Sequence, residues 1–288
     1  MNGRFHTVPV KTNPSNEEFL QQHVLARQPV VIKGALDSWN ALRWSPPYLE
    51  AKVGSREVRY RSEDGEQTGA FAELVERIFA GAADAPYLRN INVAEQLPEL
   101  LDDIRPEPAY ASTNWRSHFL MPREWPKAVK KGAFELFVSK AAASFPYLHI
   151  DYWGMSGFFA QICGDKEVIL FPPEDAANLY PTARERLVSE VQDFDDPDYE
   201  RYPRLRHARQ HRITIGPGDL LYNPGWWHTT KTTRTAITVI WAYWNRHEWT
   251  HLVEAARGTG GIRGRLLGPY LKFVGACNLL ASGLVGGS

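Results

Sequence analysis

FPYLHIDYWGMSGFFAQICGDKEVILFPP, residues 145–173, is the stretch from which the rest of the chain is read. It carries a His-x-Asp pair, His149 and Asp151. If residues 146–151 form a strand, side chains two apart share a face, and the imidazole and carboxylate converge on one point. Lys166 follows seventeen residues after His149, at the head of a second strand-like run, KEVILF. Far downstream, GPGDLLYNPGWWH (216–228) ends in His228. Two histidines and one carboxylate with coordination positions left over form the donor set of non-haem Fe(II) sites. A lysine nearby suits an acidic ligand. Outward from this stretch, the chain reads as a scaffold that brings His228 back to His149 and Asp151.

The 288 residues make one large domain, or a core with appendages. Lys plus Arg is 33 and Asp plus Glu is 33, so the net charge is zero, which argues against a general nucleic-acid binder. Only Cys163 and Cys277 occur, and the chain opens without a charged-then-apolar segment. Both points favour the cytoplasm and argue against a disulfide framework.

Taken in order, Ser15 and Glu18 have the spacing of a capping box before a helix over 15–27. PVVIKG (29–34) reads as a buried strand, Ser45-Pro46 as a helix start, and 57–61 as an alternating strand. A helix is expected over 70–79, a strand over 86–93, a short helix over 96–103 and a connecting loop over 104–132. From Ala133 the pattern turns to strands, near 134–140, 146–151, 157–163, 166–171, 212–216, 219–223, 227–231 and 235–244. Turn signals at Gly164-Asp165, Gly216-Pro217-Gly218 and Pro224-Gly225 separate several of them. Many short strands in one run predict a mostly β fold, a double-stranded β-helix of the cupin or jelly-roll kind, with N-terminal and C-terminal helices. The expected divisions are 1–132, 133–245 and 246–288. The polar excursion between Pro173 and Arg212 is long enough to be a functional loop.

Each candidate has a plainer reading. His-x-Asp occurs by chance in many proteins, and Lys166 could be an exposed strand lysine. His228 gains weight from following a strand and Pro-Gly-Trp-Trp. Phe158, Phe159, Trp226, Trp227 and Trp241 could wall a dry cavity. The pairs His247/His251 and His207/His211 have helical metal spacing but no evident third ligand, so a solvated face is the simpler account. Cys163 reads as packing.

The pieces H-x-D, FFAQI-x-G-x-K, ILFPP, LYP, DFDDPDYERYP, GPGDLLY-x-P-x-WWH and AITV together resemble the cupin-type JmjC hydroxylases. Within that group they are most similar to the asparaginyl hydroxylase acting on hypoxia-inducible factor. The resemblance covers roughly 130–245, with RQPVVIKGALDSWNALRW fitting more loosely. It implies that His149, Asp151 and His228 hold Fe(II) and that Lys166 binds the far carboxylate of 2-oxoglutarate. Tyr147, Phe159 and Thr238 would line the cosubstrate pocket, and Tyr152, Trp153 and Trp241 the substrate entrance. The implied partners are O2, 2-oxoglutarate and a protein, peptide or small-molecule substrate. Some positions depart from the family. A threonine common three residues before the first histidine is Pro146 here, so Ser144 or Tyr147 would have to replace its hydrogen bond. Asparagines of the hypoxia-factor enzyme near Gly157 and Ile240 are missing, and two extra residues follow Asp151. These departures keep open a cupin that binds metal or ligand without redox turnover; an isomerase-type metal enzyme would not need Lys166.

In the tail, Tyr270, Phe273, Val274, Cys277, Leu280, Ala281 and Leu284 recur at helical steps. Three readings follow: packing on the same chain, a membrane span, or an interface between two subunits. Lys272, Asn278 and several glycines argue against a span. The resemblance favours a homodimer through this helix.

Overall fold

The computed structural model describes residues 5–62, 64–111, 115, 134–184, 186–258 and 261–285. Its strands are β1 (His6–Thr7), β2 (Val10–Thr12), β3 (Val30–Lys33), β4 (Glu57–Ser62), β5 (Gly65–Ala70), β6 (Leu88–Asn92), β7 (Glu135–Ser139), β8 (Ser156–Phe171), β9 (His211–Ile215), β10 (Leu220–Asn223) and β11 (Trp227–Tyr243). Its helices are α1 (Asn16–Phe19), α2 (Pro46–Val53), α3 (Phe71–Phe79), α4 (Val93–Gln96), α5 (Trp249–Gly258) and α6 (Gly261–Val285). The sheet order is β2-β3-β10-β8-β11-β7-β6-β4-β5, with β9 bridging β8 to β1. Strands from the N-terminal segment therefore extend the same sheet that carries β8 and β11. This is a cupin-like fold with a jelly-roll core.

Local chemistry explains most elements. Ser15 Oγ accepts the Glu18 N–H at 3.1 Å and starts α1, but the expected helix over 15–27 shortens and continues as a π turn over Leu20–Val24. β3 is apolar on both faces because it is covered on both. β4 alternates exposed and buried positions. Its partner β5, GEQTGA, has few β-formers and was not anticipated; pairing with β4 holds it.

Two expected strand breaks are absent. Residues 157–163 and 166–171 form one strand, β8, and 227–231 and 235–244 form one strand, β11, apart from Trp244. The glycine at 164 marks a bend within β8, not its end. Its φ is +65°, and a Cβ there would lie 1.9 Å from the Thr235 carbonyl oxygen. Opposite it, the β8–β11 register shifts three times between Thr232 and Thr238. Conversely, 146–151 is not a continuous strand: His149 makes isolated bridges to Val188 and His228. In the expected 104–132 loop, Ala109–Ala111 form a 3-10 turn, while 116–133 and the boundary expected at 132 lie outside the described residues.

The largest apolar core joins α2, α3, β3, β4, β6 and β7 to one face of β8 and β11. Asp103 ties its N-terminal side together, accepting from Trp44 Nε1 at 2.9 Å, the Tyr48 hydroxyl at 3.0 Å and Lys52 Nζ at 2.6 Å. The excursion after Pro173 is itself packed: Leu179, Val191, Phe194, Tyr202 and Leu205 bury against Phe171 and Trp227.

In the tail, the anticipated stripe is divided: Val274 is buried, Cys277 half-buried, and Tyr270 and Phe273 are exposed. Leu271 and Val274 bury against Trp249, Leu252, Val253 and Ala256 of α5, as the same-chain packing reading expects. Leu266, Tyr270, Phe273 and Leu279 are exposed. The side chains of Leu280, Ala281 and Leu284 lie outside the described residues. No helix among the described residues is long and apolar enough to cross a membrane.

Candidate functional site

His149 and His228 face each other across a backbone pair. The His149 N–H donates to the His228 carbonyl at 3.0 Å, and the His228 N–H returns to the His149 carbonyl at 2.7 Å. Directly opposed residues put their side chains on the same side, and the two rings lie 4.2 Å apart. Asp151 follows in extended backbone (φ −62°, ψ 152°) before a short 3-10 turn, so it returns to the His149 face despite the missing strand. Its Oδ1 stands 3.8 Å from His149 Nε2. One donor atom from each of the three residues lies within 4.8 Å of the other two, the only such His, Cys, Asp or Glu cluster among the described residues.

The surroundings prepare these groups for a cation. Burial, then the neighbouring His228, holds His149 well below the usual imidazole range, so its ring is neutral. Burial pushes the Asp151 carboxyl up, partly offset by His228. His228 Nδ1 is 3.0 Å from the Trp226 carbonyl and 3.1 Å from Asn223 Nδ2. Asn223 is fixed by the Trp226 N–H, which donates to its Oδ1 at 2.9 Å. The tautomer that donates Nδ1–H to the Trp226 carbonyl leaves Nε2 unprotonated toward the cavity, the usual support of a metal-ligating histidine. A tight two-histidine, one-carboxylate cluster fits a divalent metal.

Lys166 occupies the deep end of the same cavity and is 2% exposed. Its Nζ donates to the Tyr87 hydroxyl at 3.3 Å. It lies 5.4 Å from the Tyr87 ring centroid and 5.9 Å from that of Phe137. Among the described residues no carboxylate lies within ion-pair reach of it. A buried ammonium held by one hydroxyl and two ring faces is only partly compensated. An anionic ligand would complete it.

The cavity brings together six expected residues: His149, Asp151, His228, Lys166, Phe159 and Thr238. Phe159 sets its edge against His228 at 5.4 Å, and the Thr238 hydroxyl donates to Gln161 Oε1 at 2.8 Å. Tyr147 lies outside the lining and packs edge-on against Phe145 and His149. Ser144 is exposed and bridges to Lys231. Neither Ser144 nor Tyr147 lines the cavity, and the hydroxyl that contacts Lys166 is that of Tyr87. Trp241 was expected at the entrance but is 4% exposed in the main core, stacked on Phe158 at 5.3 Å. The physical reason is strand alternation: Ile240 faces the cavity, so its neighbour faces away. Phe158 and Trp227 are core residues too, and Trp226 lines a separate surface cleft with His6, Arg27 and His211. Tyr152 is 37% exposed beside Asp151 and does not line the cavity. The Trp153 side chain lies outside the described residues.

Sequence reasoning missed Tyr87, Asn90, Glu135 and Phe137 among the lining. Glu135 and Phe137 carried a usable signal, since they alternate on a strand that was anticipated. Tyr87 and Asn90 did not, because β6 contains an irregularity that breaks simple alternation.

Residues 15–251 match the family described as Cupin-like domain. The chain is 30% identical over 253 residues to tRNA wybutosine-synthesizing protein 5 of Danio rerio, covering 82% of this chain and 75% of that protein. It is 27% identical to Lysine-specific demethylase 8 of Xenopus tropicalis, over 82% of this chain and 52% of the relative. HSPB1-associated protein 1 of Homo sapiens is 24% identical over 86% of this chain and 53% of its own length.

Proposed function

The chain belongs to the Cupin-like domain family, and from that premise we propose a 2-oxoglutarate- and Fe(II)-dependent oxygenase. Its reaction is hydroxylation of an unactivated carbon in a protein or peptide side chain or a small molecule. One observation carries the reading: the cavity that holds the His149, Asp151 and His228 donor cluster ends in a buried, incompletely compensated Lys166. A metal at one end and a fixed cation at the other suit an acid that is anionic at both ends. Iron, when bound, would supply activation of O2, the oxidant, with one oxygen atom ending in the succinate formed as 2-oxoglutarate loses CO2 and the other in the substrate hydroxyl.

The protein's own contributions are distinct. His149, Asp151 and His228 would hold the iron. Asn223 and the Trp226 carbonyl orient His228. Lys166 and Tyr87 would receive the far carboxylate, which answers the loss of the family threonine at Pro146. Thr238, Phe159, Phe137 and Ile240 shape the walls.

The relatives carry names that differ in substrate, one for tRNA wybutosine synthesis and another for lysine demethylation, so likeness alone does not choose between substrates. The tie to the asparaginyl hydroxylase of hypoxia-inducible factor extends here to the shared motif pieces, without its asparagine specificity. A cytoplasmic setting, consistent with two free cysteines, belongs to the same proposal.

Two measurements test this reading. The metal-loaded protein should bind 2-oxoglutarate, and with Fe(II), ascorbate and a screened substrate pool should form succinate and a product heavier by one oxygen. Asp151→Ala should do neither. Metal and acid binding with succinate never above that variant's level would overturn the oxygenase reading in favour of a non-redox cupin.

A further inference from the structure

Phe159 and Lys166 line the same cavity although they stand seven positions apart on β8. In an unbroken strand an odd separation sends two side chains to opposite faces. The phase of β8 therefore changes between them, and the packing shows where. Phe158, Ala160 and Ile162 alternate onto the large core behind the cavity, and Cys163, the very next residue, packs on that core as well. The pairing agrees. Thr238 pairs with Gln161 and Thr232 with Lys166, so β11 advances six residues where β8 advances five. Gly164, at φ +65°, lies inside that interval.

One side chain spans this interval from within the strand. Gln161 is fully buried. Its Nε2 donates to the Cys163 carbonyl at 2.8 Å and to the Gly164 carbonyl at 3.0 Å. Its Oε1 accepts from the Thr238 hydroxyl at 2.8 Å. Its backbone N–H donates to the Asp219 carbonyl, and its own carbonyl accepts from the Gly218 N–H, both at 2.9 Å. A shifting register disrupts ladder bonds, and buried carbonyls need donors. The two amide protons meet that need at two successive carbonyls of the bend. With both protons committed there, the amide has one orientation, oxygen toward Thr238.

The structure assigns Gln161 as a positioning residue for the cosubstrate end: its two amide donors hold the bend whose change of phase turns the Lys166 ammonium into the cavity. This rests on the cavity being the oxygenase site proposed above. Gln161 is not among the described residues that line the cavity, so it acts through Lys166 and not on the acid itself. It also acts on one end alone. His149 and His228 are joined by their own pair of backbone bonds, which do not pass through the bend. Loss of the amide should therefore fall on acid binding and spare the metal, a split that general loosening of the fold would not produce.

The test uses the full chain loaded with Mn(II) and titrated with 2-oxoglutarate by calorimetry without oxygen, so no turnover is needed. Gln161→Met should weaken 2-oxoglutarate binding about five- to thirtyfold, and no more than Lys166→Ala does. Gln161→Glu keeps the shape and the acceptor for Thr238 but not both donors. It should lose as much, and it carries the test if the methionine variant does not fold. Thr238→Val leaves both donors in place and should cost less, about two- to threefold. The Gln161 variants should bind Mn(II) within about twofold of wild type. In a Lys166→Ala background Gln161→Met should add no more than about twofold, because two residues acting through one group are not additive. An unchanged 2-oxoglutarate dissociation constant in the folded variant, or an equal loss with and without Lys166, overturns the assignment. If wild type binds no 2-oxoglutarate, or Lys166→Ala binds it as wild type does, the cosubstrate reading fails instead. Acylation of Lys166 by N-hydroxysuccinimidyl acetate, read by mass spectrometry, then decides the role of Gln161 without a ligand. The buried ammonium should react several-fold faster in Gln161→Met, and equal rates in the two proteins would overturn that role.

Discussion

Lys166 Nζ donates to the Tyr87 hydroxyl at 3.3 Å, although 79 residues separate them in the chain. The contact joins the two ends of the fold at the floor of one cavity. A charge-assisted bond from Lys166 to a carboxylate is worth roughly 2–3 kcal/mol, and Tyr87 adds a neutral hydroxyl. Lys166→Ala should weaken 2-oxoglutarate binding by about thirty- to a hundredfold, and Tyr87→Phe by about three- to tenfold. Calorimetric titration of the Mn(II)-loaded protein measures both. An unchanged dissociation constant in Lys166→Ala would remove the lysine from the cosubstrate site.

The donor cluster makes a separate prediction. A metal that binds the folded state alone raises its stability by mass action. Wild type should therefore show a Tm that climbs with added Mn(II). Asp151→Ala and His228→Ala should show none of that climb at the same concentrations. A metal-dependent Tm that survives both substitutions would place the ion elsewhere.

Asp103 offers a test of the scaffold away from the cavity. Burial pushes its pKa up, but donors from Lys52, Trp44 and Tyr48 more than reverse this and leave it below the usual carboxylate range. Removing the carboxylate strands a buried indole N–H and a lysine. Asp103→Ala should cost about 2–4 kcal/mol in urea unfolding, discounted because Lys52 is 30% exposed. Lys52→Met should cost less, since Trp44 and Tyr48 still satisfy the acid.

Acid sensitivity follows from the histidines that burial lowers, His149 and His247 among them. Burial lowers His23, and burial together with His6 lowers His211 from 6.5 to about 4. A base whose folded pKa is depressed is protonated more readily when unfolded. The unfolded state therefore binds more protons between about 4 and 6.5, and stability falls as the pH drops through that window. Melting curves at intervals across it should show the decline, and His211→Gln should make it shallower. Glu248, raised by burial, acts in the opposite sense, so the comparison with the variant isolates His211. Parallel curves for wild type and variant would contradict the assignment.

The apolar face of α6 leaves the homodimer expectation standing as a proposal. Leu266 is 69% and Phe273 58% exposed, while Leu271 and Val274 already pack on α5. If a second copy covers the exposed face, sedimentation at micromolar concentration should show a dimer, and Phe273→Glu should dissociate it without lowering Tm. A full-length monomer would leave same-chain packing as the sole role of the helix.

Much of this was legible in the chain. His149, Asp151, Lys166 and His228 share one cavity, as their spacing together with the family motifs led one to expect. The jelly-roll character followed from the run of strands. What stayed hidden was non-local or irregular. Gly164 reads locally as a turn, yet the Thr235 carbonyl pressed against it makes it a bend within β8. Trp241 looked like pocket wall by composition, but the parity of β11 sends it into the core. Tyr87 and Asn90 were out of reach because they depend on a one-residue bulge set by pairing with β7.

The bend at Gly164 has one more consequence. Lys166 pairs with Thr232 and Leu170 with His228, so both ends of the cavity hang from one backbone ladder. The side chain that Gly164 lacks could not be accommodated, so the angle of that ladder is not adjustable by substitution there. Just past that bend, the four-residue step of β8 from Lys166 to Leu170 sets the span from the lysine to the donor cluster. Under the proposed chemistry that span would favour one length of keto diacid, and a homologue one carbon shorter or longer should bind more weakly.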